Sequence, residues 1–216
     1  LDSGAKGEWW KFARPAKEMY ERIANLKRVI VRSETSSTFA FEVVSSRLIF
    51  SNTAIVFAVD GMEWFALLQS RVHETWATFF GSSMKDDLRY VPAECFDSFP
   101  LPNDWPGGTP NLSAVHASGD RYREFRHELI LRRRESLTDL SNRLNDPSAF
   151  DGDLMALRSL HDALDRAVLD AYGWFDIRPT CQFLLDYEES AEEGEPSGGR
   201  ARKKPWRYRW PDDVRD

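Results

Sequence analysis

Between Val59 and Phe65 the apolar residues of this chain stop alternating and begin to recur at helical spacing. Upstream, Val29-Ile30-Val31-Arg32 reads as a strand, and Thr38 to Val44 places Phe39, Phe41 and Val43 on one face of another. Arg47-Leu48-Ile49-Phe50 follows as a further strand, and the unbroken apolar run Ala54 to Val59 predicts a strand at the sheet's centre. Downstream, Phe65, Leu68, Val72, Trp76 and Phe79 fall on one face of a helix, with Gly81 as the residue that ends it. Strands followed by helices, rather than strands alternating with them, predict an α+β fold. The short spacings predict an antiparallel β meander packed with helices, then a mainly α-helical hairpin that braces it.

The stretch from Phe65 to Pro102 is therefore the junction on which the chain is organised. Asp60, with Glu63 three residues on, predicts a capping box at the start of its helix. A shorter helix from about Pro15 to Asn25 precedes the strands, with Met19, Ile23 and Leu26 as its stripe. Beyond the turn-rich Asn103 to Pro110, one helix is predicted from about Ser113 to Leu144, with Tyr122, Phe125, Leu129, Leu137, Leu140 and Leu144 as its seam. Arg121, Arg123, Arg126, Arg132, Arg133 and Arg134 crowd its middle, and Asn145-Asp146-Pro147 ends it. A second helix, from about Asp151 to Tyr172, uses Leu154, Leu157, Leu164, Val168 and Ala171 and closes on Gly173. The short connection makes the two an antiparallel hairpin.

Thr180 to Tyr187 reads as a strand that Arg207-Tyr208-Arg209-Trp210 can pair with, and residues 188–205 between them have the composition of a flexible insertion. The expected division is 1–110 and 111–216. Pro211 followed by Asp212-Asp213 is how a helix begins, so the chain reads as a fragment cut short at Asp216.

With 216 residues the chain can bury a substantial core without disulfides or metals. Cys95 and Cys181 have no cysteine or histidine at metal spacing and read as buried, inert thiols. No apolar run approaches the roughly 18 residues that a membrane span requires, so a soluble, cytoplasmic protein with no membrane partner is expected. The net charge of −6 excludes a protein that is basic all over, but not a local basic face.

Groups arranged for catalysis are missing. There is no Gly-rich phosphate loop, G-x-S-x-G, H-E-x-x-H or C-x-x-C. Gln69, Arg71, His73 and Glu74 are expected outside or at an edge of their helix, with His73 a plain surface histidine. Asp86-Asp87 and Asp212-Asp213 read as solvated or capping pairs. What remains is a binding surface. Arg32, Lys85 and Arg89 stand with Ser33, Thr35, Ser36, Ser82 and Ser83 in predicted loops, where charge suits phosphates and hydroxyls suit base edges. From these residues alone a nucleic-acid surface and a protein-interaction module docking a partner subunit both stay open.

One resemblance separates them. The run Phe65 to His73 with Trp76-Ala77, then Asp87-Leu88-Arg89-Tyr90-Val91-Pro92, then Cys95-Phe96-Asp97-Ser98-Phe99-Pro100-Leu101-Pro102 resembles the close of the target-recognition domain of MmeI-like adenine-specific DNA methyltransferases. Arg28 to Ser33 and Phe50-Ser51-Asn52 resemble the same domain further upstream, and Asp165 to Val168 with Ala171-Tyr172-Gly173-Trp174 its C-terminal helical part. The resemblance implies that this chain reads double-stranded DNA for a methyltransferase domain of the same parent chain, in restriction-modification or phage defence. S-adenosylmethionine would belong to that parent domain, with no cofactor and no catalytic residue here. It implies base or near-base contacts from the loop Ser33, Glu34, Thr35, Ser36, Ser37 and Thr38 and from Arg47. Lys85 and Arg89 would serve phosphates or local ion pairing, and the Arg-rich helix either phosphates or the methyltransferase domain.

Overall fold

The structure is a computed structural model that describes residues 16–84, 87–185 and 206–215. The chain enters through α1 (Lys17–Ile23) and forms β1 (Arg28–Ser33), β2 (Thr35–Ser36), β3 (Glu42–Ser45) and β4 (Ala54–Phe57). β3 and β4 flank β1, each antiparallel to it, with Ile30 opposite both Val43 and Phe57. The central strand is therefore β1, whose Val29 and Ile30 are fully buried, and the apolar run at Ala54 forms an edge. Residues 46–53 carry the chain across from one edge to the other. Arg47 to Phe50 lie in that crossing and pair with none of the three strands. That stretch is a turn rather than the expected strand, with Ile49 76% exposed.

Two helices, α2 (Met62–Gln69) and α3 (Arg71–Phe80), replace the single helix predicted across the junction. The break is at Ser70, whose backbone is extended and whose hydroxyl accepts from the His73 N–H and donates to Leu67 O. The Arg71 N–H, freed by the break, donates to Asp165 Oδ1 at 2.8 Å. The expected capping box also fails: Gly61 is the cap residue of α2, and no side chain caps it. With the axis redirected, Gln69, Arg71 and His73 are buried instead of lying outside, and Phe79 at the end of the expected buried stripe is 80% exposed.

A second sheet follows, in which β6 (Asp87–Arg89) lies between β2 and β5 (Ser82–Met84), all antiparallel. After α4 (Pro92–Cys95) comes α5 (Leu112–Arg133), then α6 (Leu137–Asn145) and α7 (Gly152–Ala171). The helix predicted over 113–144 is thus split. Arg134 takes a left-handed conformation with φ 54°, and Ser136 and Asp139 form a reciprocal capping box that starts α6. α7 runs as its pattern predicts and closes on Gly173, whose φ of 78° is the conformation that favours glycine. β7 (Gln182–Leu185) and β8 (Trp206–Arg209) pair as the expected hairpin, and α8 (Asp212–Arg215) starts after Pro211. The insertion 188–205 lies outside the described residues.

The architecture is α+β, with one core running through both halves. Phe41, Phe57 and Phe65 share a buried cluster with Tyr122, Leu129, Leu157, Leu164 and Val168. Every residue of α2 except Glu63 and Trp64 is buried, because the helix is sandwiched between the sheet and α5. Where α5 crosses it, Gly119 approaches so closely that an added Cβ would lie 2.6 Å from Met62 O.

Candidate nucleic-acid interface

Three polar segments meet at the Ser33 end of β1. β1 delivers the chain into Ser33 to Thr38, the pairing of Ser33 with Ala54 brings the turn Ser51-Asn52-Thr53 beside it, and β2 pairs with β6. Backbone hydrogen bonds lock the three together: Glu34 N–H donates to Thr53 O at 2.8 Å, and Tyr90 N–H donates to Glu34 O at 2.8 Å. Thr35, Arg89 and Ser82 occupy one row across the second sheet, spaced by about 4.8 Å per strand. The cluster is not a local loop. It is assembled from residues more than fifty positions apart in the chain.

The hydroxyls shape the backbone of this surface. Ser33 Oγ donates to Thr35 O at 2.9 Å, Thr38 N–H donates to Ser36 Oγ at 3.0 Å, and Ser51 Oγ lies 2.6 Å from Thr53 Oγ1. Such side chain to backbone bonds are how Ser and Thr replace ladder bonds in turns. Ser33, Thr35, Ser37, Ser51, Asn52, Thr53 and Arg89 are exposed, while Glu34 and Ser36 are half-buried. Arg89 Nε donates to Glu34 Oε1 at 3.1 Å, an ion pair at the surface.

Arg32 lies beneath this cluster. It is 4% exposed, and its guanidinium carbon sits 4.9 Å from the Phe39 ring centroid, 5.1 Å from Phe41 and 4.4 Å from Tyr90. Nε donates to Ser33 O at 3.1 Å. Burial lowers its pKa to about 10, still well above neutrality. His73 shares the pocket, with Nε2 2.9 Å from the Tyr90 hydroxyl. Burial, and then the charge of Arg32, depress its pKa to about 3, so the imidazole is neutral.

The other predicted residues fall elsewhere. Arg47 is exposed next to Ser45, which pairs with Arg28 at the far end of β1, roughly 16 Å from Ser33 at about 3.3 Å per residue. Ser82 and Ser83 contribute backbone to β5, and Lys85 lies outside the described residues. The arginines of α5 are largely engaged within the protein. Arg126 is buried with donors to Gln69 Oε1, Phe41 O and Glu42 Oε2, Arg123 pairs with Glu42, Arg132 with Asp153, and Arg133 with Asp151 and Asp153. Cys95 and Cys181 are free and buried, and burial raises both thiol pKa values. Among the described residues no cluster of His, Cys, Asp and Glu is placed to hold a metal ion, and no helix is long and apolar enough to cross a membrane.

Asn52 and Thr53 stand on this candidate surface beside Glu34, although the sequence reading did not include them among its candidates. Their signal was the turn composition before Ala54, which does not reveal that the turn abuts Glu34.

The family model of the MmeI target recognition domain matches residues 7–103, the segment that contains the whole polar cluster. Over those residues the chain is similar to the MmeI target recognition domain. A solved structure of the type IIL restriction-modification enzyme MmeI in complex with DNA is similar with a TM-score of 0.55 and 23% identity, over 69% of this chain and 19% of that one. At that identity the likeness is one of fold, and its extent carries it past the target recognition domain into the helices that brace it. The chain spans about a fifth of that enzyme's chain, whose length is covered to 19%. No curated protein matches the chain.

Proposed function

We propose that this chain reads double-stranded DNA as the recognition region of an S-adenosylmethionine-dependent, adenine-specific DNA methyltransferase acting in restriction-modification or phage defence. The methyltransferase domain and its cofactor belong to the same cytoplasmic parent chain. The observation that carries the reading is the convergence of Ser33 to Ser37, Asn52-Thr53 and Arg89 on one exposed face inside a target recognition domain.

The chemistry of that face suits base edges. Hydroxyls donate or accept, an Asn amide pairs bidentately with adenine, an Arg with guanine, and a carboxylate accepts from cytosine. Arg89 and Glu34 arrive already paired, so reading a base means exchanging part of that ion pair for base-edge bonds, and either member can be used. Arg47 is too far along β1 to share a base pair with them and is assigned to the duplex backbone, as Lys85 is. The brace packs against α2, which closes the first sheet from behind, and a flipped adenine in a neighbouring domain requires that the duplex be held in register.

The test is duplex binding by the full-length protein at several salt concentrations, against a library of randomised duplexes sequenced before and after selection. Enrichment of a defined sequence and a falling affinity with salt are expected. Arg89→Gln should weaken binding to the selected duplex by about 1–3 kcal/mol and relax preference at one position. Binding that ignores both salt and sequence would remove the proposal.

A further inference from the structure

Arg32 is the feature of this molecule that packing alone does not explain. Its side chain is 4% exposed, yet Nη1 and Nη2 have no hydrogen-bond partner, and no carboxylate among the described residues forms an ion pair with it. Buried polar groups are nearly always satisfied, and a buried cation without a partner is costly. An unbranched apolar side chain of similar length would fill the same space between three rings without that cost. What the guanidinium does, and methionine cannot, is draw the faces of Phe39, Phe41 and Tyr90 onto a planar cation and bind the Ser33 carbonyl at the same time.

Those partners are the hinges of the polar face. Ser33 opens the loop that carries Thr35. Phe39 and Phe41 stand where that loop returns toward β3. Tyr90 directly follows Arg89, and its N–H holds Glu34 O. One side chain therefore touches the entry to the loop, its exit, and the strand that presents Arg89.

We propose that Arg32 is a positioning residue for DNA sequence discrimination: a buried cationic pin that sets the spacing between the Ser33 to Ser37 loop and Arg89 without itself touching the duplex. The inference rests on the DNA-reading function proposed above. It makes a distinction that a structural role does not, because a side chain kept only for stability should be replaceable by an apolar one with no change in which sequence is chosen.

The experiment uses the full-length protein, wild type and Arg32→Met, with the randomised duplex library as probe, bulk genomic-length DNA as the measure of non-specific affinity, and thermal melting as the measure of folding. Arg32→Met is expected to melt no lower than wild type and to bind bulk DNA within about twofold, while enrichment of the preferred sequence over the library mean falls at least tenfold. Arg32→Lys, which keeps a cation among the rings, should recover part of that enrichment. Phe39→Leu, which removes one of the stacked faces, should lose enrichment in the same way and serves if Arg32→Met does not fold. Undiminished enrichment in Arg32→Met, or in Phe39→Leu where the first variant is unfolded, overturns the inference and leaves the DNA-reading function standing. A wild-type protein that enriches no sequence overturns both.

Discussion

The imidazole of His73 has no exposed surface, its Nε2 lies 2.9 Å from the Tyr90 hydroxyl, and the rings of Phe39, Phe41 and Phe99 surround it. Its folded pKa of about 3 is below the ordinary value of 6.5, so the unfolded chain binds a proton that the folded one refuses. The stability His73 contributes is therefore present above pH 6.5 and is lost as pH falls toward 3. Comparing wild type with a His73→Leu, Tyr90→Phe double variant, the wild-type advantage in urea unfolding should shrink by up to about 1.4 kcal/mol per pH unit across that window. Arg126 is a different kind of buried polar group, because both its terminal nitrogens are matched, with Gln69, Phe41 O and Glu42 accepting from them and only Nε left without a partner. Arg126→Ala takes its donor from the buried Phe41 O and leaves Glu42 to Arg123 alone, and should cost about 3–5 kcal/mol by chemical denaturation. Neither residue's burial was readable from its neighbours. A polar side chain in a helical pattern reads as outward unless its partner is visible, and these partners lie 17 and 57 residues away.

Among the elements, the crossing of α2 and α5 depends on a missing side chain. An added Cβ at Gly119 would meet Met62 O at 2.6 Å and the Ala66 Cβ at 3.0 Å, and the first of these is backbone that cannot swing away. For Gly119→Ala, the overpacking cost of about 1–3 kcal/mol opposes the roughly 1 kcal/mol of helix propensity that Ala has over Gly. A lowered melting temperature is the expected net result. The types of most elements followed from their periodicity, and α7 with its glycine terminator was legible almost to the residue. The two helices predicted too long, across Ser70 and across Arg134, fail for a common reason. The apolar spacing continues through each break, while the Ser caps that end the hydrogen-bond ladder are worth only about 1 kcal/mol apiece. Such a cap wins only where tertiary packing agrees, as Asp165 does by accepting from the Arg71 N–H.

For the molecule as a whole, the shared core matters more than the division into a sheet part and a helical part. Phe65, Ala66, Leu67 and Leu68 of α2 are all fully buried between the sheet and the brace. A chain ending at residue 110 would expose one side of that helix, so it should lose cooperative unfolding, whereas the full chain should show coincident transitions by circular dichroism and by tryptophan fluorescence. The sequence by itself determined the class of fold, the kind of secondary structure in most stretches, the closure of α7 and the likeness of residues 7–103 to a known recognition domain, because each of these is written in local spacing or in ordered motifs. Only the tertiary structure decided that β1 and not β4 is central, that Arg32, Arg71, His73 and Arg126 point inward, and that Asn52 and Thr53 stand beside Glu34 while Arg47 lies at the other end of the sheet. Those outcomes depend on hydrogen bonds and ring contacts between residues tens of positions apart, and contacts of that range leave no period in the chain.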